Sequence, residues 1–112
     1  ENLTLTTIHQ AKGLEWSTVF LIGLTEGLFP HQRSLNTEEQ IEEERRLFYV
    51  AITRAKKNLL ITAPVVSSNY SGGISQRSRF INELPENTIN TEIHTRDEYS
   101  FGNQVKTQQF YF

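Results

Sequence analysis

The chain has 112 residues, of which 37% are hydrophobic and 21% are charged, with 11 Lys and Arg against 13 Asp and Glu. A chain of this length has room for one small domain with a single core. Its formal net charge of −2 provides no basic footprint of the kind that marks a nucleic-acid-binding domain, and the absence of cysteine excludes disulfides and thiolate chemistry.

The first predicted element is a strand at residues 3–9, where Leu, Thr and Ile alternate and β-branched side chains favour a pleated chain. A tight turn follows at residues 10–14, with Gly13 supplying backbone freedom. Residues 18–24 form a nearly unbroken apolar run, typical of a strand buried on both faces of a parallel sheet. Because ligands of α/β proteins bind beyond the carboxyl ends of strands, the turn is the first candidate for a working surface.

A long helix is predicted next. Thr37 as N-cap and Gln40 three residues later fit a capping box, and the glutamates that follow favour the start of a helix. The helix should run from about residue 38 to about residue 56. Because residues 47–52 (LFYVAI) are apolar on every side, we expect this part of the helix to be enclosed.

A third strand is predicted at residues 58–63, which makes the fold class α/β. Residues 65–75 are rich in Ser and Gly and predict a flexible loop. Residues 78–84 predict a short helix that ends before Pro85.

The composition changes near the end of that helix. Residues 1–82 carry nine Lys and Arg against eight Asp and Glu, whereas residues 83–112 carry two against five. We therefore place a domain boundary at about residue 86, with residues 87–112 as a linker or tail.

Metal and membrane functions are not expected. His9, His31 and His94 lie far apart without acidic or cysteine companions at ligand spacing, so we expect no metal site. The sequence has no apolar run of membrane-spanning length and no signal peptide, so we expect a cytoplasmic protein without a membrane partner.

Four segments stand in a specific order along the chain: residues 5–16 (LTTIHQAKGLEW), 26–31 (EGLFPH), 42–59 (EEERRLFYVAITRAKKNL) and 78–85 (SRFINELP). Together they closely resemble the last two motifs, the connector and the closing segment of UvrD/Rep/PcrA-type DNA helicases (superfamily 1A). A lone AKG or TRA would be weak because short patterns recur by chance, whereas four in the family's order are specific. Trp16 stands where the family usually has Phe.

The resemblance implies a partial RecA-like (P-loop NTPase) domain with a small, mostly parallel sheet. Residues 1–86 would be the C-terminal part of the second motor domain, and the tail at residues 101–110 faintly resembles the start of a Tudor-like domain. The implied activity is ATP-dependent translocation on single-stranded DNA and unwinding of duplex DNA, for example in DNA repair.

The same resemblance implies the cofactors and partners. ATP and Mg²⁺ would be bound mainly by the other motor domain, because the sequence has no phosphate loop (G-x-x-x-x-G-K-[ST]). The chain is thus expected to be a piece of a helicase, inactive as an ATPase alone. Its partners would be single-stranded DNA, the duplex junction and the remainder of the same helicase chain.

The resemblance also gives roles to residues of the turn and the helix end. Arg54 matches the family arginine that reaches the γ-phosphate of ATP, where a guanidinium can meet the charge of a transferring phosphoryl group. The alternative is an arginine that pairs with a carboxylate or caps carbonyls at a helix end. Glu15 matches the glutamate that contacts the nucleotide sugar, with a surface acid as its alternative. Gly13 belongs to this nucleotide-facing turn, although with Lys12 it shapes the turn more than it touches nucleotide.

Thr7 and His9 match the face of the motif toward single-stranded DNA, where hydroxyl and imidazole groups can donate to phosphate. The alternative for a lone histidine after a strand is a structural role. Trp16 could stack on a base, but an aromatic between two strands is more often core, and we favour core. Residues 43–46 would usually form a solvated face, and the family pattern implies that Arg45 ties the helix to the domain interface.

Two other functions stay open at this point. The missing phosphate loop and the acidic tail suggest a non-catalytic interaction domain, in which the tail contacts a protein partner. The chain could also be the motor part of a helicase–nuclease. The EGLFPH connector favours the UvrD-like branch, and no nuclease-type cluster of carboxylates and lysine is visible.

Overall fold

The computed structural model describes residues 2–64, 67–68, 74–98 and 103–111. The predicted loop at residues 65–75 therefore falls largely outside the described residues, as do residues 101–102 of the Tudor-like match. The helices are α1 (Glu38–Ile52) and α2 (Arg79–Asn82), with 3₁₀ helices at Gln32–Asn36 and Glu86–Thr88. The strands are β1 (Trp16–Leu21), β2 (Ala55–Pro64), β3 (Ser67–Ser68), β4 (Ile74–Ser75), β5 (Asn90–Glu98) and β6 (Asn103–Tyr111).

The main sheet combines one parallel and two antiparallel pairings. β1 and β2 are parallel, with Val19 opposite Leu59 and Leu21 opposite Ile61, and α1 connects them. The α/β class and this parallel pair are confirmed. The strand order is β1-β2-β6-β5, in which β6 is antiparallel to both of its neighbours. The sheet is mixed rather than mostly parallel, because the hairpin of β5 and β6 pairs with the second edge of β2.

The strand predicted at residues 3–9 does not form. Residues 2–7 are irregular and residues 8–13 are in turns, and Leu3 and Leu5 are 94% and 92% exposed. Strand propensity reflects how a side chain suits a pleated surface, but a strand also needs a partner for its backbone groups. Among the described residues, no strand pairs with residues 3–7.

The long helix begins where the sequence predicts and ends earlier. The Thr37 hydroxyl accepts a hydrogen bond from the Gln40 backbone N–H at 3.2 Å, as a capping box requires. The helix ends at Ile52 rather than at about residue 56. The reason is that Ala55 already pairs with the start of β1, so Lys56 belongs to β2 and not to the last helical turn.

The core lies between the inner side of α1, β2, α2 and the connector before α1. The rings of Phe29, Phe48 and Phe80 contact one another, with centroid distances of 6.1, 5.5 and 5.5 Å. Two expectations of enclosure are wrong. Tyr49 on the predicted all-buried part of α1 is 66% exposed, and Phe20 of β1 is 61% exposed. Both face away from the ring cluster, where no other element of the described chain covers them.

The remaining short helix is close to its prediction. It covers Arg79–Asn82 inside the expected residues 78–84, and the Ser78 side chain caps it by accepting from the Phe80 N–H. Within the described residues, neither helix has the length and apolar character needed to cross a bilayer.

Candidate functional site

The turn at residues 7–14 is held by its own backbone. The Ala11 N–H donates to the Thr7 carbonyl and the Leu14 N–H donates to the Ala11 carbonyl, both at 3.0 Å. Gly13 has φ +84°, a left-handed conformation that residues with a Cβ adopt only with strain. No heavy atom lies within 4 Å of the place where a Cβ would stand, so glycine is required here by its backbone angle rather than by space.

Arg54 lies in the short connection between α1 and β2 and reaches across to this turn. Its Nη1 donates to the Leu14 carbonyl at 3.1 Å, and its Nε donates to the Val50 carbonyl at 3.1 Å. Its Nη2 donates to the Thr53 hydroxyl at 3.2 Å. The Arg54 carbonyl in turn accepts from the Trp16 N–H at 2.9 Å. The half-buried arginine therefore joins the end of α1, the turn and the start of β1.

These contacts show Arg54 in contact with carbonyls near a helix end, as one of its two predicted roles requires. They do not use all of its hydrogen-bonding capacity. A guanidinium has five N–H donors, and each terminal nitrogen of Arg54 makes one hydrogen bond within the described residues. Each terminal nitrogen therefore keeps one N–H for the oxygen of an incoming group.

The other predicted site residues lie on the turn that Arg54 contacts or directly after it. Thr7, His9, Gly13 and Glu15 are all exposed. The Thr7 hydroxyl accepts from the Gln10 N–H at 3.2 Å, so it stabilises the turn, and its own O–H can donate outward. Gly13 and Glu15 flank Leu14, whose carbonyl holds Arg54, and so the predicted nucleotide-facing residues lie together.

An apolar groove of about 440 Å³ runs beside the turn. It is lined by residues 2–8, by β1 and the residues after it up to Leu24, and by Trp16 and Arg54. Trp16 is half-buried in this lining, so it is neither a fully buried core residue nor a free surface ring.

Residues 1–65 match the family model of the UvrD-like helicase C-terminal domain. The chain belongs to this family. The resemblance of its four segments to UvrD/Rep/PcrA-type helicases is thereby confirmed.

Three relatives illustrate the match. The chain is 49% identical over 88 residues to the ATP-dependent DNA helicase PcrA of Bacillus subtilis (strain 168). The aligned residues cover 78% of this chain and 12% of PcrA. It is 48% identical over 86 residues to DNA helicase II of Escherichia coli (strain K12), covering 76% and 12% of the two chains. It is 53% identical over 94 residues to DNA helicase II of Rickettsia typhi, covering 80% and 14%. The chain thus spans only a small part of the length of these relatives.

In this UvrD-like domain, Arg45 joins α1 to the end of α2. Its Nε and Nη2 donate to the two carboxylate oxygens of Glu83 at 2.9 and 2.8 Å, and it also contacts Glu42. Its guanidinium lies 5.6 Å from the centroid of the Phe80 ring. The hydrogen bonds that Arg45 donates to the Glu83 carboxylate raise the pKa of Arg45 above its usual value. Arg45 is therefore a tie between two helices of this domain.

One ion pair between the connector and the start of α2 is not apparent from the sequence. The Glu26 carboxylate accepts from the Arg79 backbone N–H at 2.6 Å and from its Nη2 at 3.0 Å. The hydrogen bond to Glu26 raises the pKa of Arg79. Both residues lie in quoted motif segments, but a pairing across 53 positions leaves no periodic signal in the sequence.

Among the residues that the structure describes, no group of three or more His, Asp or Glu side chains is placed to hold a metal ion.

Proposed function

We propose that this chain is the C-terminal part of the second RecA-like motor domain of an ATP-dependent DNA helicase, which moves along single-stranded DNA and unwinds duplex DNA. The observation that carries the proposal is the hydrogen bond between Arg54 and the Leu14 carbonyl. It brings a cation with unused donors next to the exposed turn that contains the motif residues. Relatives named ATP-dependent DNA helicase and DNA helicase II support the same activity.

The residues around Arg54 suit the nucleotide of such an enzyme. The two unused N–H groups can donate to phosphate oxygens, and the exposed Glu15 carboxylate can accept from the hydroxyls of a sugar. Bound ATP with Mg²⁺ supplies the phosphoryl group that is transferred to water. We propose that the part of the protein carrying the phosphate loop holds most of this cofactor, while Arg54, Glu15 and Gly13 border it.

Arg54 acts on charge in this proposal. Negative charge on the equatorial oxygens of a transferring phosphoryl group is stabilised by a planar cation with donors in a fixed arrangement. An arginine in this role is worth about three to five decades in rate in nucleotide hydrolases. The contacts to Val50 and Leu14 hold the side chain in place before nucleotide arrives, which lowers the entropy lost when it engages phosphate.

Thr7 and His9 would meet the DNA backbone. Both are exposed on the turn, and hydroxyl and imidazole groups can donate to phosphate oxygens without reading sequence. Because the Leu14 carbonyl of the same turn contacts Arg54, a shift of the turn on DNA would move the Arg54 guanidinium relative to the nucleotide. This gives the single-stranded DNA partner a physical connection to ATP hydrolysis.

We further propose that the motor-domain part ends at about residue 86 and that residues 87–112 form a tail, whose β5–β6 hairpin extends the sheet along the second edge of β2. β5 lies at the outer edge of the sheet, and an edge strand can accept a strand of another protein. The tail is therefore a candidate contact for a protein partner. A cytoplasmic location and a role in DNA repair stay predictions of the same proposal.

The proposed activity can be tested with the full-length protein and with the 112-residue chain. The full-length protein should hydrolyse ATP faster with single-stranded DNA and separate a partial duplex, and a non-hydrolysable ATP analogue should abolish strand separation. The 112-residue chain should show no ATPase above background with or without DNA. DNA-stimulated turnover by the pure chain, or a full-length protein that never separates strands, would contradict the proposal.

A further inference from the structure

Three acceptors hold the guanidinium of Arg54, and they are not equivalent. The Val50 and Leu14 acceptors are backbone carbonyls, which any residue at those positions would supply. The third is the hydroxyl of Thr53, which accepts from Nη2 at 3.2 Å. It is the one contact of the three that depends on the identity of a side chain.

The Thr53 hydroxyl is itself fixed at the end of α1. Its Oγ1 lies 3.0 Å from the Tyr49 carbonyl and 2.9 Å from the Val50 carbonyl, so its single hydrogen is directed back into the helix. The oxygen lone pairs are then left for Arg54. Since Thr53 is β-branched, its side-chain torsion is also more restricted than that of serine.

The contacts of Arg54 divide between two parts of the domain. Nε is held by Val50 in the last turn of α1 and Nη2 by its C-cap Thr53, whereas Nη1 is held by the turn that contains Leu14. Two contacts from α1 fix the plane of the guanidinium relative to the helix. With the Thr53 contact removed, one contact from the helix and one from the turn remain, and the plane would tilt whenever the turn shifts.

We propose that Thr53 is a positioning residue for Arg54, which sets the plane in which the guanidinium meets a phosphate group. This inference rests on the proposed function. Thr53 does not touch the nucleotide in this account and acts only through Arg54. Because Thr53 is exposed, its role is not one of filling the core.

The test uses the full-length protein with Thr53→Val and Thr53→Ser. Valine keeps the branched shape without an acceptor, and serine keeps the hydroxyl. Thr53→Val should lower the kcat of DNA-stimulated ATP hydrolysis about tenfold, equivalent to about 1.4 kcal/mol, with the KM for ATP changed less than about twofold. Thr53→Ser should recover most of the rate. If Thr53→Val is unfolded at the assay temperature, Thr53→Ala replaces it.

Melting temperature and the Arg54→Ala variant complete the experiment. A purely structural Thr53 would lower the melting temperature of Thr53→Val and leave kcat at the wild-type value, which would overturn the inference. The double variant Thr53→Val, Arg54→Ala should be no slower than Arg54→Ala alone, because Thr53 acts through Arg54, and additive losses would also overturn it. Near-normal turnover in Arg54→Ala would instead contradict the proposed function itself.

Discussion

The cluster of three phenylalanine rings on the buried side of α1 and the turn at residues 7–14 are held by different forces. Phe29, Phe48 and Phe80 are buried and contact one another, and burial of their apolar surface stabilises the fold. The turn is held by hydrogen bonds to backbone carbonyls, and although Ala11 is buried, its polar side chains at Thr7 and His9 are exposed. Fold stability and site chemistry are therefore separable here. Substitutions in the phenylalanine cluster should change the free energy of unfolding, and substitutions at the site should change ATP turnover.

The largest effect on stability is expected inside the ring cluster. Phe48 is 4% exposed, and Phe48→Ala should lower the free energy of unfolding of the 112-residue chain by about 3–5 kcal/mol. The neighbouring Tyr49, 66% exposed, is the matched control, and Tyr49→Ala should change it by no more than about 0.5 kcal/mol. Thermal or urea unfolding measures both. Equal effects of the two substitutions would mean that the buried side of α1 has been assigned wrongly.

A smaller effect is expected at the connector. Glu26→Ala removes the acceptor of the Arg79 backbone N–H and guanidinium, and should lower the free energy of unfolding by about 1–2 kcal/mol. Its control is Glu43→Ala, because the pair of Glu43 with Arg46 is 73% and 70% exposed and should be worth no more than about 0.5 kcal/mol. A Glu26→Ala chain as stable as Glu43→Ala would show that the ion pair does not order the connector.

Truncation after residue 86 tests whether the tail belongs to either region. Among the residues whose side chains the structure describes, the buried apolar ones lie between Ala11 and Ile81. Residues 1–86 should therefore still melt cooperatively, with a melting temperature lowered by less than about 5 °C. β6 pairs with β2 along five residues, so truncation removes one of the two strands that pair with β2. Loss of cooperative melting would move the domain boundary to the end of the hairpin.

The smallest effect on stability is expected at Leu5, in the exposed segment before the turn. Its side chain is 92% exposed, and Leu5→Ser should change the free energy of unfolding of the 112-residue chain by no more than about 0.5 kcal/mol. Leu59→Ser, at a position 7% exposed, is the buried counterpart and should be clearly destabilising. A clear loss of stability in Leu5→Ser would mean that residues 3–9 do form the predicted strand in solution.

Local signals in the sequence were enough for much of the fold. The capping box at Thr37 and Gln40 predicted the start of α1, and apolar runs predicted the parallel pair of β1 and β2. The cap is local because a hydroxyl reaches an N–H three residues away. An apolar run marks a strand but not how fully it is enclosed, since Phe20 in that run is 61% exposed. The strand at residues 3–9 and the end of α1 depended instead on pairing with distant backbone, which leaves no local pattern.

The site shows the same limit. The family pattern grouped Arg54 with Glu15 and the turn, and in the structure Arg54 contacts Leu14, the residue before Glu15. The contact that joins them ends on the carbonyl of Leu14, forty positions away, and a backbone acceptor leaves no trace in residue type. The proposed role of Thr53 is not apparent from the sequence for a related reason: a threonine at a helix end usually bonds to its own helix.

The central claim is that Arg54 acts on the nucleotide and does not merely hold the fold. The decisive measurement is the DNA-stimulated ATP turnover of the full-length protein with Arg54→Ala, alongside its nucleotide affinity and melting temperature, with Arg46→Ala on the exposed side of α1 as the control. We predict that Arg54→Ala lowers turnover by about three to five decades, that affinity and melting temperature stay close to wild type, and that Arg54→Lys recovers little because it lacks the planar fork. Near-normal turnover in a folded Arg54→Ala protein with a lowered melting temperature would contradict the claim.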